Sequence, residues 1–212
     1  MKKTVEEHAS RFDKYASVYD ENQNESEEYR ACADLVIEHA APHPKDTVLD
    51  LGTGTGAIGL ALASSAAHVV GRDISEGMME QAQEKAKAQD IENIEFGSGT
   101  FREPNYDAAD IVVSNFAMHH LSDEEKREAI EEIAALGPRR FVLGDVMFFG
   151  TPDPDEPFYS PEVDEPATVG LLADALTDTG FSLTTVEKVH EQVGVLVAER
   201  AIEQEQSKNE QE

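Results

Sequence analysis

The feature that most constrains this chain lies between residues 47 and 62, where "TVLDL" runs directly into "GTGTGAIGLAL". A short apolar run with a β-branched start reads as a buried strand, and the small-residue stretch behind it as a helix. Between them Gly52, Gly54 and Gly56 supply a turn where backbone can approach a ligand that side chains would obstruct. The same rhythm continues along the chain. "HVVGRD" (68–73), "NIEFG" (93–97), "ADIVVSN" (109–115) and "RRFVLGDV" (139–146) read as strands. "SEGMMEQAQEKAKAQ" (75–89) and "SDEEKREAIEEIAAL" (122–136) read as helices, the first capped by Ser75, the second by Ser122 with Glu125 completing a capping box. "ATVGLLADALTDTG" (167–180) is helical in pattern, and "FSLTTVEKVHEQVGVLVAER" (181–200) reads as two strands joined by a turn. Strand alternating with helix predicts an α/β fold, a parallel sheet covered on both faces, with an antiparallel hairpin at one edge.

The organisation expected around this core is an N-terminal helical cap over 1–40, a main domain over 41–202 and a disordered polar tail at 203–212. The cap reads as two helices broken near "YDENQNES". The 212 residues carry 44 Asp+Glu against 17 Lys+Arg, a net charge of −27, which repels nucleic acid and anionic membranes. Acids outnumber bases in nearly every segment, the habit of a protein from a salt-rich cytoplasm, where a short screening length makes such self-repulsion tolerable. The single Cys32 excludes an internal disulfide and reads as a buried small residue. "MKKTVEEHASRFDKY" has no apolar core for a signal peptide and no run approaches membrane length, so a cytoplasmic chain is expected.

The glycine turn satisfies two patterns that imply different ligands. Gly54, Gly56 and Gly59 form the G-x-G-x-x-G of dinucleotide sites, while Asp50, Gly52, Gly54 and Gly56 form D-x-G-x-G-x-G. A diphosphate on this turn would be repelled by the Asp50 carboxylate. S-adenosylmethionine (SAM) carries an ammonium, a sulfonium and no phosphate, so Asp50 favours it. Asp73, closing the second strand some twenty residues on, is placed to accept both ribose hydroxyls of either cofactor.

"VLDLGTGTGAIGLALA", "VVGRDISEGMMEQA" and "DIVVSNFAMHHLSDEEK" together resemble class I SAM-dependent methyltransferases, especially the small-molecule type typified by quinone-ring C-methylases. The resemblance covers roughly residues 45–145 and implies a Rossmann-like seven-stranded sheet whose last two strands form the antiparallel hairpin. It implies that Asp50, Gly52, Gly54 and Gly56 hold the methionine part, Asp73 the ribose, and Ile74 and Met78 the adenine. Thr100 stands where that family usually has an acid for the adenine amino group; its hydroxyl accepts more weakly, and the Phe101 N–H remains for the ring nitrogen. The opening "RFDKYASVYDE" resembles the family's cofactor-covering segment.

"SNFAMHHL" (114–121) stands at the carboxyl end of the fourth strand, the ligand crevice of such sheets. Asn115 is a cofactor-binding candidate, but Phe116 and Ala117 replace the Pro-Pro wall of adenine-N6 and glutamine methylases. His119 and His120 are candidate general bases. Adjacent side chains point apart, so one at most is expected to act, and the resemblance favours His120. Tyr15 and Tyr19, four apart, are expected on one helix face, either as a lid able to orient an acceptor hydroxyl or as that helix's apolar face with Phe12, with Tyr19 a candidate catalytic residue. Asp145 is read as either a substrate-orienting or a helix-capping acid, His190 as a surface turn residue, and 150–166, with Phe158 and Tyr159, as a gate or an inert linker. The His and acidic residues lack metal-ligand spacing, so no metal is expected. The reading is methyl transfer from SAM to a small-molecule acceptor, with no nucleic-acid or membrane partner and the oligomeric state open. The alternatives are a protein-directed methylase, a non-catalytic SAM-binding protein and an NAD-dependent oxidoreductase.

Overall fold

A computed structural model describes residues 4–23, 26–151 and 157–200; the tail at 203–212 lies outside the described residues. Eight strands form one sheet: β1 (Thr47–Leu51), β2 (His68–Asp73), β3 (Ile94–Ser98), β4 (Ile111–Asn115), β5 (Arg140–Phe148), a two-residue β6 (Ala167–Thr168), β7 (Ser182–His190) and β8 (Val193–Glu199). The order is β3-β2-β1-β4-β5-β8-β7, with β6 adding to the end of β5. The first five strands run parallel, and β8 is antiparallel to both β5 and β7. This is the Rossmann-like mixed sheet with the expected terminal hairpin. The chain leaves β1 toward β2 on one side while β4 lies on the other, so the loops after β1 and β4 diverge and open a crevice at the strands' carboxyl ends.

The helices are α1 (Val5–Tyr15), α2 (Tyr19–Gln23), α3 (Glu27–Ala40), α4 (Ala57–Leu62), α5 (Glu76–Ala88), α6 (Asp123–Ala135) and α7 (Val169–Asp178). Strand periodicity of two assigns neighbouring residues to opposite cores. Leu49, Val112 and Phe141 pack with Ile130 and Ile133 of α6 and Leu176 of α7. Val48, Ile111 and Val142 pack with Cys32 and Val36 of α3 and Ile58 and Leu62 of α4. Each such side chain, fully buried, contributes about 1.5–3 kcal/mol. Cys32 is 0 % exposed, with burial pushing its thiol pKa up, in keeping with the buried-residue reading. The approach of α3 to β5 depends on Gly144, where a Cβ would meet Val36 Cγ2 at 2.6 Å and Cys32 Sγ at 2.7 Å.

Ser75 caps α5, its side chain accepting the Met78 N–H at 3.2 Å, and Ser122 and Glu125 form the capping box that starts α6. The N-terminal stretch differs in detail from expectation. A 3-10 turn over Ala16–Val18 separates α1 from α2, so Tyr15 and Tyr19 do not share one helix. Among the described residues no helix is long and apolar enough to cross a membrane.

Candidate functional site

The glycine turn leaves β1 with Gly52 at φ +70°, Gly54 at +53° and Gly56, the N-cap of α4, at +83°, all in the left-handed region. A Cβ at Gly52 would fall 2.4 Å from that of Ala117, so this loop and the one after β4 meet only because Gly52 has no side chain. Two buried carboxylates brace the turn. Asp50 Oδ2 accepts the Thr53 hydroxyl (2.7 Å) and the Gly59 N–H (3.0 Å). Asp73 Oδ2 accepts the Gly54 N–H (2.8 Å), and its Oδ1 accepts the Ser75 N–H (2.9 Å). Burial raises Asp50 to about 6, against the lowering effect of its Thr53 and Gly59 bonds. Burial likewise raises Asp73, against the Ser75 and Gly54 N–H groups.

In front of the turn lies a cavity of about 770 Å³. Gly52, Gly54, Asp73, Ile74, Met78, Thr100, Phe101, Tyr19 and His120 all line it. Thr100 Oγ1 already accepts the Glu103 N–H at 2.9 Å, whereas the Phe101 N–H has no acceptor among the described residues. Asp50 and Asn115 stand apart, in a recess of about 20 Å³ reached past Gly52, Gly54 and Tyr19. Neither amide atom of Asn115, though buried, makes a well-formed hydrogen bond among the described residues; the Tyr29 hydroxyl interacts with it only weakly. Tyr29 stands beside it, pushed up to about 12 by burial and then by the Asp50 charge. Gly56 lines neither the cavity nor the recess; its place is packed by Ala82 and Phe96.

A second cavity of about 390 Å³ shares Phe12, Tyr19, Phe116 and His120 with the first. Phe116 separates β4 from a 3-10 turn over Met118–His120 and holds φ at +52°, an outlier for a bulky residue. Its ring packs against Tyr29 (5.2 Å between centroids) and Phe158 (6.3 Å). The 3-10 turn brings both imidazoles to the same cavity, 4.1 Å apart, where adjacent side chains were expected to diverge. Each has its own carboxylate. His119 Nδ1 lies 2.5 Å from Asp145 Oδ1, and His120 Nδ1 lies 2.8 Å from Asp164 Oδ1. Asp145 is engaged by the histidine turn itself; it also accepts the His119 N–H (3.0 Å) and the Val146 N–H (2.7 Å).

The two imidazoles are shifted in opposite directions. Burial opposes a cationic His119, but the Asp145 carboxylate outweighs it and raises the ring above its ordinary value. Burial, followed by the His119 charge, lowers His120 to about 4, so this ring is neutral at pH 7. A neutral ring facing an acceptor-only carboxylate carries its proton on Nδ1, leaving the Nε2 lone pair of His120 as an acceptor. Burial raises Asp164, but its bond with His120 prevails and the net shift is downward.

Asp164 arrives on the segment after β5, which is fastened over the histidine turn. The Glu165 N–H donates to His119 O (2.7 Å), Ser160 N–H to Asp164 Oδ2 (2.8 Å), and the buried Lys126 ammonium to the carbonyls of Leu121 and Glu165. Ligating atoms of His119, His120 and Asp164 lie within 4.8 Å of one another, a metal-capable group that local spacing did not reveal because Asp164 comes 44 residues later. His190, expected in a surface turn, instead ends β7 with its ring 5.4 Å from Phe158.

The N-terminal helices close the cavities from outside. Asp13 Oδ1 accepts the Ser75 hydroxyl (2.6 Å) and the Gly77 N–H (3.1 Å) at the start of α5, where an anion also suits the helix dipole. Asp20 accepts the Thr55 hydroxyl (2.5 Å) and pairs with Lys85. The buried His8 packs its ring 5.0 Å from that of His120. None of Asp13, Asp20, His8 or Asp164 stands out in the sequence, where acids are everywhere and no motif marks these four.

Comparison with known proteins accords with this geometry. Residues 48–137 match the model of a methyltransferase domain family. An uncharacterised methyltransferase of Bacillus pumilus is 27% identical over 201 residues, covering 89% of each chain. One from Staphylococcus carnosus is 34% identical over 147 residues, covering 65% of this chain and 67% of its own. The crystal structure of magnesium protoporphyrin IX methyltransferase from Synechocystis with bound SAM is 25% identical, superposes with a TM-score of 0.61, and covers 81% of this chain and 77% of that one. These matches, with the sheet order, make the chain a member of the class I SAM-dependent methyltransferases, with SAM as its cofactor.

Proposed function

We propose that this methyltransferase acts on a small-molecule acceptor held in the second cavity. The observation that carries the reading is the pair of cavities sharing Phe12, Tyr19, Phe116 and His120, one of about 770 Å³ at the glycine turn and one of about 390 Å³ beneath the N-terminal helices. Their sizes suit a nucleoside cofactor and a small acceptor, and the covering helices leave little approach for a protein side chain on its backbone. When bound, SAM supplies an electrophilic methyl group for in-line displacement. Supporting its fit, Asn115 offers a buried amide with no well-formed hydrogen bond in the recess beside Asp50, suited to the amino-acid end of the cofactor. Asp73 would then accept ribose hydroxyls, Ile74 and Met78 would flank adenine, and Thr100 and Phe101 would meet its edge. Gly52 and Gly54 would pass backbone along the methionine part, with Gly56 setting the loop's conformation. His120 is the proposed acceptor-side base, positioned by Asp164; His119 is held by Asp145 beside it, and Tyr19 closes the shared wall. Residues 1–40 are the proposed cap and the net charge of −27 a proposed adaptation to a salt-rich cytoplasm.

The test is calorimetric titration in molar KCl with S-adenosylhomocysteine and with NAD, followed by labelled methyl transfer from SAM into a fractionated cell extract. Binding of S-adenosylhomocysteine alone, with label in the low-mass fraction, is the expected result. Label confined to protein would reject the small-molecule acceptor.

A further inference from the structure

Resting on that methyl-transfer reading, we propose that the acceptor is a hydroxyaryl carboxylate. Its ring lies among Tyr29, Phe116 and Phe158, its carboxylate on Arg11, and its hydroxyl on Nε2 of His120. The volume, about 390 Å³, suits a one- or two-ring molecule. Phe116 stands 5.2 Å from Tyr29 and 6.3 Å from Phe158, a wall of rings against which a flat acceptor stacks.

Arg11 supplies the second half of the recognition. Among the described residues it is the only Lys or Arg lining this cavity. In a chain with 44 acidic residues it makes no ion pair among the described residues, and its guanidinium rests 5.9 Å from the Phe12 ring. Asp164 lines the same cavity, but its two oxygens are engaged by His120 and the Ser160 N–H. A guanidinium left facing a cavity is matched by an incoming carboxylate, which it can bind through two parallel bonds.

The chemistry of the imidazole selects oxygen as the acceptor atom. In the transfer, the acceptor oxygen forms its bond to the methyl carbon as the carbon–sulfur bond breaks, and that electron pair stays on sulfur as a neutral thioether. The hydroxyl proton passes to Nε2 of His120, whose growing charge faces Asp164, and then to solvent. His120 is held through Nδ1 by Asp164, so the base facing the hydroxyl is an imidazole nitrogen, itself a weak base. A hydroxyl oxygen that has gained a methyl group is a far stronger acid than any imidazolium, so a weak base suffices when the proton leaves late. A methylated amine would keep its proton, and a ring C–H would need a stronger base.

The experiment titrates para-hydroxybenzoate, a hydroxynaphthoate and their amides into the S-adenosylhomocysteine-loaded protein in molar KCl, for the wild type, Arg11→Gln and His120→Gln. The expected result is a preference for carboxylate over amide of about tenfold, lost in Arg11→Gln with unchanged S-adenosylhomocysteine affinity. Labelled SAM should yield the methyl ether, and His120→Gln should lower its rate of formation while still binding the carboxylate. The inference is overturned if S-adenosylhomocysteine binds but no hydroxyaryl carboxylate does, if amides bind equally well, or if Arg11→Gln keeps the preference. Failure of S-adenosylhomocysteine itself to bind rejects the parent reading, and this inference with it.

Discussion

Replacing Asp50 by Asn is expected to stabilise the cofactor-free chain while loosening its hold on the cofactor. Asp50 is 1 % exposed, and burial lifts its carboxyl from 3.8 to about 6 even though Thr53 and Gly59 donate to it. The sign follows from proton linkage. A carboxyl with a higher pKa folded than unfolded binds its proton more tightly in the native state, so raising the pH through this interval costs stability, fully so above the folded value. The displacement from 3.8 to about 6 corresponds to a ceiling of about 3 kcal/mol at neutral pH. Asn presents one carbonyl oxygen to the same two donors without the charge, so much of that cost disappears, and Tm at pH 7 should rise by about 2–4 °C per kcal/mol regained. The cofactor's cationic end has the opposite interest. Binding beside Asp50 pulls its pKa back down, so the wild type should release a proton on binding S-adenosylhomocysteine near pH 6, with affinity increasing from acid to neutral pH. In Asp50→Asn the affinity should drop by about 10- to 100-fold, as for a lost hydrogen-bonded charge, and the proton release should vanish. Calorimetric titration in buffers of different ionisation enthalpy reads the proton, and scanning calorimetry reads Tm. A lowered Tm together with unchanged affinity and persistent proton release would refute the reasoning.

Three further outcomes are expected. Asp73→Ala removes the acceptor of the Gly54 and Ser75 N–H groups and should weaken S-adenosylhomocysteine binding by about 1–3 kcal/mol; a ligand lacking ribose hydroxyls should bind wild type and variant alike, and a further loss there would place the ribose elsewhere. Asp13→Ala deletes the bonds from Ser75 Oγ (2.6 Å) and Gly77 N (3.1 Å) that moor α1, so limited proteolysis within residues 4–23 should accelerate while Tm of the sheet domain changes little. With a net charge of −27, Tm should climb between low salt and molar KCl, where the screening length contracts to about 3 Å; a flat or falling curve would remove the salt-adaptation reading.

What the sequence disclosed is whatever local physics writes into consecutive residues. β1 and β2 occupy residues 47–51 and 68–73 as read from their apolar runs, and Ser75 and Ser122 cap the helices they precede. Gly52, Gly54 and Asp73 are legible because a turn and a strand end are short-range features. The acceptor side is not written that way. Asp164 reaches His120 only because Lys126 and the His119 carbonyl hold a Pro-rich segment across the turn, and a lone acid among 44 carries no periodicity to announce it. His119 and His120 would diverge in an extended strand; in the 3-10 turn over Met118–His120 consecutive side chains rotate by about a third of a turn and both reach one cavity. Tyr15 and Tyr19 fail the same way, since helical spacing presumes a helix that the turn at Ala16–Val18 interrupts.

The division between cavity and recess bears on how such a site can bind a cation without impeding its chemistry. Methyl transfer discharges the sulfonium, so an anion at that centre would favour the ground state over the transition state and slow the reaction. Asp50 favours a positively charged cofactor, yet it lines the recess with Asn115 and Tyr29 and not the larger cavity. The wall common to both cavities is instead Phe12, Tyr19, Phe116 and an imidazole held neutral. On the proposed placement, charge-based affinity is directed to the ammonium, which keeps its charge throughout, and the reacting centre is left to aromatic faces. On the acceptor side, the charge of His119, paired with Asp145, lowers the basicity of His120. Removing that restraint by Asp145→Asn should therefore raise the pKa of His120, and the rise would appear as an upward shift in the acid limb of the pH–rate profile.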